Sequence, residues 1–119
     1  MRRELLFLWE ILESIDKIWK LFELDQWDES DVQCDSVMWC FTVIGEAVSQ
    51  LSTEFKAEYP HVDWVNSRQL RNRVVHSYWS VDFERLRKIA SQHLPQFRAD
   101  IAAIWVAVSG GTAWPEMPV

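Results

Sequence analysis

Residues 37–55 read VMWCFTVIGEAVSQLSTEF. The first half of this run is apolar on most sides of a helical wheel, the pattern of a central helix packed by neighbours all round. Gly45 stands inside it. A mid-helix glycine costs about 1 kcal/mol relative to alanine, so it points to a second helix crossing closely at that position. The run carries through to Tyr59-Pro60, where the residue before proline is pushed out of the helical region and the helix ends.

Upstream, Leu5, Leu8, Trp9, Leu12, Ile15, Ile18, Trp19 and Phe22 recur at three and four residues. That spacing predicts an amphipathic helix from Glu4 to Leu24 with a broad buried face. The acidic stretch from Asp25 to Asp35, with Ser30 and Asp31 as N-caps, separates it from the central helix. Downstream, a third helix is expected over Trp64 to His76. The turn WSVDF follows, with Ser80 or Asp82 capping a fourth helix over Phe83 to His93. Pro95 either opens a fifth helix or kinks a continuous one, and the pattern runs to about Val108. The tail SGGTAWPEMPV has paired glycines and two prolines, so an irregular end is expected. The expectation is an all-α, four- to five-helix antiparallel bundle over residues 1–108 with an irregular tail over 109–119. Trp9, Trp19, Trp39 and Trp105 read as core, and Trp27 and Trp114 as residues for an interface.

At 119 residues, half of them apolar and only three glycine, the chain suits one globular domain with a single core. Cys34 and Cys40 are six residues apart on one helix. They face different ways and sit roughly 9 Å apart along its axis, so a bridge between them is not expected. A reduced, cytoplasmic protein without a metal site is the simpler reading. Glu4 and Glu10 interrupt the apolar N-terminal run, which argues against a signal peptide, and no run is long enough for a membrane span.

The net charge of −6 is uneven. Residues 66–98 hold seven Lys/Arg against two acids, and the rest of the chain holds five against sixteen. A basic island on an acidic body allows local attraction of an anion while the whole repels it at a distance. The island centres on LRNRVVHSYW, residues 70–79. On one continuous helix Arg68, Arg71, Asn72, His76 and Tyr78 share less than half the circumference. Arginine matches phosphate oxygens with a fork of donors. Imidazole near neutral pH takes a proton from a hydroxyl and returns one to a leaving group. Asn72, one turn before His76, orients the ring or donates to an anion. The set fits cleavage of an RNA phosphodiester without metal, with the ribose 2′-hydroxyl as nucleophile. One chain offers one histidine here, so a homodimer with two such faces across an interface is the mechanistic expectation. A lone histidine near a helix end is more often a capping or packed residue, and spacing alone leaves both open.

These residues resemble the HepT-like toxins of the HEPN superfamily, all-helical ribonucleases paired with a minimal nucleotidyltransferase antitoxin. The motif is Arg71-Asn72-Arg73-Val74-Val75-His76-Ser77-Tyr78. VIGEAVSQLS at 43–52, YPHVDW at 59–64 and VDFERLRKIASQHLPQF at 81–97 match in the same order. The resemblance covers roughly residues 8 to 107. It implies that Arg71 stabilises the scissile phosphate and His76 is the acid/base, with Asn72 in support. Arg68 and Arg73 are candidate RNA contacts on the basic face, and Arg73 taken alone reads more simply as solvated charge. The resemblance also implies that a nucleotidyltransferase antitoxin adds AMP to Tyr78 and blocks the site, that no cofactor is used, and that the active helix lies near a homodimer interface, with higher oligomers allowed. Two departures stand out: Ser77 in place of glycine, and Ser67-Arg68-Gln69-Leu70 in place of an apolar pair followed by Gly-Met. The alternative is a non-catalytic helical module that docks a nucleotidyltransferase or a nucleotide.

Overall fold

The computed structural model describes residues 3–23, 32–76 and 83–116, except for the side chains of Arg73, Val75 and His76. The described residues form seven helical segments and no strand. They are α1 (Arg3–Phe22), α2 (Val32–Gln50), α3 (Thr53–Ala57), α4 (Trp64–Arg68), α5 (Leu70–His76), α6 (Phe83–Gln92) and α7 (Leu94–Val108). This is an all-α bundle, as the sequence predicts.

The first helix buries Leu5, Leu8, Ile11, Leu12, Ile15 and Ile18 along one stripe. Glu4 in its first turn and Lys20 in its last complement the helix dipole. Against it lies α2, which buries residues around much of its circumference, including Val37, Phe41, Ile44, Ala47 and Val48. The far end of α1 meets the start of α2: Lys17, Lys20 and Leu21 share a cleft of about 610 Å³ with Val32, Asp35 and Trp39. The two helices are therefore antiparallel. The last helix, α7, runs back along α1. Arg98 near its start donates to both carboxylate oxygens of Asp16, at 2.7 and 3.1 Å, and the Trp19 indole N–H donates to the Ala90 carbonyl of α6 at 2.8 Å.

Two expected helices are divided. The run 37–55 does not continue unbroken: α2 ends at Gln50, and Ser52 caps the separate α3 by accepting from the Phe55 N–H at 3.0 Å. A serine hydroxyl that satisfies an orphan N–H of a new first turn competes with continuation of the old helix. The expected helix from Trp64 to His76 is jointed at Gln69. Asp63 caps its first half by accepting from Asn66 N–H at 3.1 Å. At Pro95 the structure selects the first of the two expectations. A new helix opens with proline in its first turn, where the missing N–H has no intrahelical role.

The end of α7 is closed by a Schellman arrangement. Gly110 has φ +76°, a backbone region open to glycine, and the Gly111 N–H donates to the Val106 carbonyl at 2.8 Å. The chain then folds back so that Trp114 lies 6.2 Å from the Trp9 ring and 5.5 Å from the Arg98 guanidinium. Trp114 thus packs on its own chain. Trp105 is core, and Trp9 and Trp19 pack against the core as partly buried residues. Trp39 departs from expectation: it is 68 % exposed on α2. Its position on the wheel falls outside the stripe that meets α1 and α5, and residue type alone does not show which side of a mostly apolar helix faces solvent. Trp27, Ser30, Asp31, Ser80 and Asp82 lie outside the described residues.

Candidate active site

The site helix α5 is short, and packing seats it. Leu70 and Val74 are buried one turn apart and turn its inner face to the core. Arg71 and Asn72 stand on the exposed side. His76 is the last residue of α5. Its side chain, that of Arg73, and the whole of Ser77 and Tyr78 lie outside the described residues.

Gly45 sets how close α5 comes to α2. A Cβ built at this position would lie 2.6 Å from the Arg71 backbone nitrogen, 2.7 Å from the Arg71 Cβ and 3.0 Å from the Arg68 carbonyl oxygen. No real side chain tolerates such distances to backbone. The close crossing expected at Gly45 is present, and it falls on the arginine of the motif. The next residue on α2, Glu46, reaches the Arg71 guanidinium: Nη1 to Oε1 is 3.1 Å, with the two side chains 47 % and 42 % exposed.

The departure at Ser67-Arg68-Gln69 now has a structural account. Ser67 is fully buried, and its hydroxyl lies 2.9 Å from Nε2 of His93, at the joint between α6 and α7. Nδ1 of the same ring lies 3.9 Å from Oδ2 of Asp63, and the ring stacks on Phe97 at 5.7 Å. This chain pins α4 to the opposite helices. The Asn66 side chain donates to Asp63 at 2.8 Å. Burial alone would raise the Asp63 pKa, but the two Asn66 hydrogen bonds and the nearby His93 outweigh it and hold this carboxyl below its ordinary value. Gln69 is exposed at the joint, so its bulk does not obstruct the approach of α5, which Gly45 makes room for. Arg68 belongs to α4, on the other side of that joint, and so does not share one continuous wheel with Arg71. It lies close enough to Lys56 to help burial lower the pKa of that ammonium.

The structure brings Arg71 and Glu46 together, with the Arg68 backbone alongside, while Asn72 stands exposed as the next residue of α5. The sequence reading did not single out Glu46. One signal was there: Glu46 is the single charged residue between Asp35 and Glu54. An acid alone in an apolar helix calls for a partner. The basic island is also less free than its composition suggests. Arg71 pairs with Glu46, Arg98 with Asp16, and Arg87 lies 3.7 Å from Glu84 while stacking over Phe22 at 4.7 Å. Cys34 and Cys40 are both free and buried, and burial raises the Cys40 thiol pKa above its usual value. Among the described residues, no helix is long and apolar enough to cross a membrane.

A helical bundle with an arginine-led motif on a short, exposed helix is the arrangement of a HEPN-type protein, and comparison with known sequences narrows the class. The model of the family described as "Ribonuclease HepT-like" matches residues 10–104. The chain belongs to the HepT-like ribonuclease family. Two similar proteins of Methanocaldococcus jannaschii are named as RNases. One is 27 % identical over 107 residues, covering 87 % of this chain and 88 % of its own. The other is 26 % identical over 101 residues, covering 82 % and 93 %. A protein of Thermococcus cleftensis named as ribonuclease HepT is 27 % identical over 73 residues, covering 57 % of this chain and 66 % of its own. No solved structure matches at a significant level.

Proposed function

We propose that the chain is a metal-independent endoribonuclease toxin of the cytoplasm, acting as a homodimer whose two copies of α5 face one cleft. Arg71 stabilises the charge that builds on the scissile phosphate. His76 moves the protons at the 2′-hydroxyl and the leaving oxygen, and Asn72 supports both. Arg68 and Arg73 contact the RNA backbone. A minimal nucleotidyltransferase serves as antitoxin by adding AMP to Tyr78, which sets an anionic phosphate and a base beside Arg71 where RNA would bind. One observation carries the reading: in a chain of this family, the motif arginine stands half exposed where α5 crosses α2 at Gly45.

The test is cleavage of a total RNA sample in the presence of EDTA. His76→Ala is expected to slow cleavage by about 10²–10⁴-fold, the usual contribution of a positioned acid/base. Arg71→Ala is expected to slow it by about 10²–10³-fold, as for the loss of one donor to a developing anion. Both variants should keep the helical circular dichroism of the wild type. Equal cleavage by His76→Ala and wild type, or a requirement for Mg²⁺, would overturn the mechanism.

The exposed Trp39 favours a second reading, in which the chain docks a nucleotidyltransferase and cleaves nothing. Intact mass after incubation with such a partner and ATP separates the Tyr78 arm. An added AMP on wild type and none on Tyr78→Phe identifies the acceptor.

A further inference from the structure

Arginine is long, and on a helix surface its tip samples many rotamers. A catalytic role for Arg71 needs the guanidinium held in place before the substrate arrives. Two independent features of α2 meet that need. Gly45 lets the backbone and Cβ of Arg71 sit directly on α2, so the root of the side chain is fixed. Glu46, one residue on, takes the tip through Nη1 at 3.1 Å. We infer that Glu46 is a positioning residue for Arg71, its carboxylate holding one edge of the guanidinium so that another edge is presented to the scissile phosphate. The inference rests on the ribonuclease reading of Arg71 given above.

The geometry distinguishes this pair from an incidental surface contact. An exposed ion pair usually contributes little to stability, because two long side chains must both be ordered to form it. Here one partner is ordered already by the helix crossing. The guanidinium is a planar fork, so a carboxylate on one nitrogen fixes the plane without using up the remaining N–H donors. Glu46 is also the only charged residue of α2 beyond Asp35, in a helix otherwise given over to packing.

Position and charge act in opposite directions, and that gives the test its resolving power. A carboxylate beside Arg71 weakens ground-state attraction of an anionic RNA while orienting the group that stabilises the transition state. Removing it should therefore separate the two kinetic constants. For Glu46→Ala, kcat is expected to fall by about 10- to 100-fold, the scale of loss when an orienting partner is removed. KM should stay unchanged or fall. Glu46→Gln keeps an oxygen acceptor and should recover most of kcat. In an Arg71→Ala background, Glu46→Ala should have no further effect on kcat, because there is nothing left to position. Unchanged or raised kcat in Glu46→Ala would overturn the inference, as would an equal loss in both backgrounds.

A second measurement does not depend on activity. In side-chain nitrogen NMR of the full chain, Arg71 should show restricted guanidinium rotation in wild type, free rotation in Glu46→Ala, and intermediate behaviour in Glu46→Gln. Equal rotation in all three would sink the positioning role even if the enzyme is active. Restricted rotation in a wild type that cleaves no RNA would uphold the clamp and reject the ribonuclease reading.

Discussion

Ser67 and His93 show how far a single polar pair reaches in this bundle. The Ser67 hydroxyl is wholly buried and has the His93 ring as its partner at 2.9 Å. His93→Ala removes that partner and the stacking on Phe97, and it leaves a hydroxyl in the core. A buried polar group without a partner costs about 1–3 kcal/mol, so a urea-unfolding loss of that size is expected. Ser67→Ala combined with His93→Ala should cost less than the sum of the two, since the orphaned hydroxyl is then gone. Asp63, at the other edge of the same ring, gives a pH-dependent readout. Its folded pKa lies below the ordinary carboxylate value, so its ionised form adds stability above the unfolded pKa. That stability is lost as pH falls through the folded pKa. Asp63→Asn, which can still cap α4, should therefore lower the melting temperature at neutral pH and show a shallower decline on acidification. A thermal-melt series from pH 7 to pH 3 checks the sign.

The decisive element contact is the crossing of α2 with α4 and α5. Substituting Gly45 by alanine would ordinarily strengthen a helix by about 1 kcal/mol. Here the added methyl meets the Arg71 backbone nitrogen at 2.6 Å, and backbone cannot swing aside as a side-chain tip can. Overpacking of this kind costs about 1–3 kcal/mol, so Gly45→Ala should be net destabilising in urea titration. Because the helix that must move carries Arg71, RNA cleavage should suffer as well. The break after Gln50 is a second element-scale feature. Ser52→Ala removes the cap of α3 and should cost about 0.5–2 kcal/mol, measured in the same titration, with little change in activity because Ser52 lies away from Arg71 in sequence and caps a different helix. Periodicity made α1 and α6 legible, since each presents one clear apolar stripe, while α7 was legible as an apolar run whose start at Pro95 was one of two expectations. It made the joints at Ser52 and Gln69 much less so, because a polar residue inside a helical pattern is compatible with both a cap and a solvated turn.

Across the whole molecule, α1 is held to α7 by the Asp16–Arg98 pair and by Trp114, which folds back over Trp9. The pair is partly shielded, with both side chains less than a third exposed, and the hydrogen bonds that Arg98 donates to Asp16 raise its pKa further above an already high value. Arg98→Ala leaves Asp16 without its two donors. It should cost about 1–2 kcal/mol, between the worth of a surface pair and that of a buried charged hydrogen bond, and calorimetric melting reads it. This pairing also explains why the basic island of residues 66–98 looked larger in the sequence than in space. Arg71, Arg87 and Arg98 each lie beside an acid, so the field available to an anionic ligand is narrower and more local than composition suggests.

The order of apolar residues and caps was enough to read the chain as all-helical, to bury Leu8, Phe41 and Trp105, and to set Arg71, Asn72 and His76 on one helix. These are local properties, written in spacings of three to five residues. Nothing local shows that Glu46 meets Arg71, that Ser67 meets His93, or that Trp39 faces solvent. Those outcomes depend on the angle and distance at which helices far apart in the chain cross. Gly45 is where the two kinds of information join. It was legible as a point of close approach, but only the packed bundle shows that the approach belongs to Arg71, because the partner at a crossing is chosen by the complementarity of whole surfaces and not by any one residue.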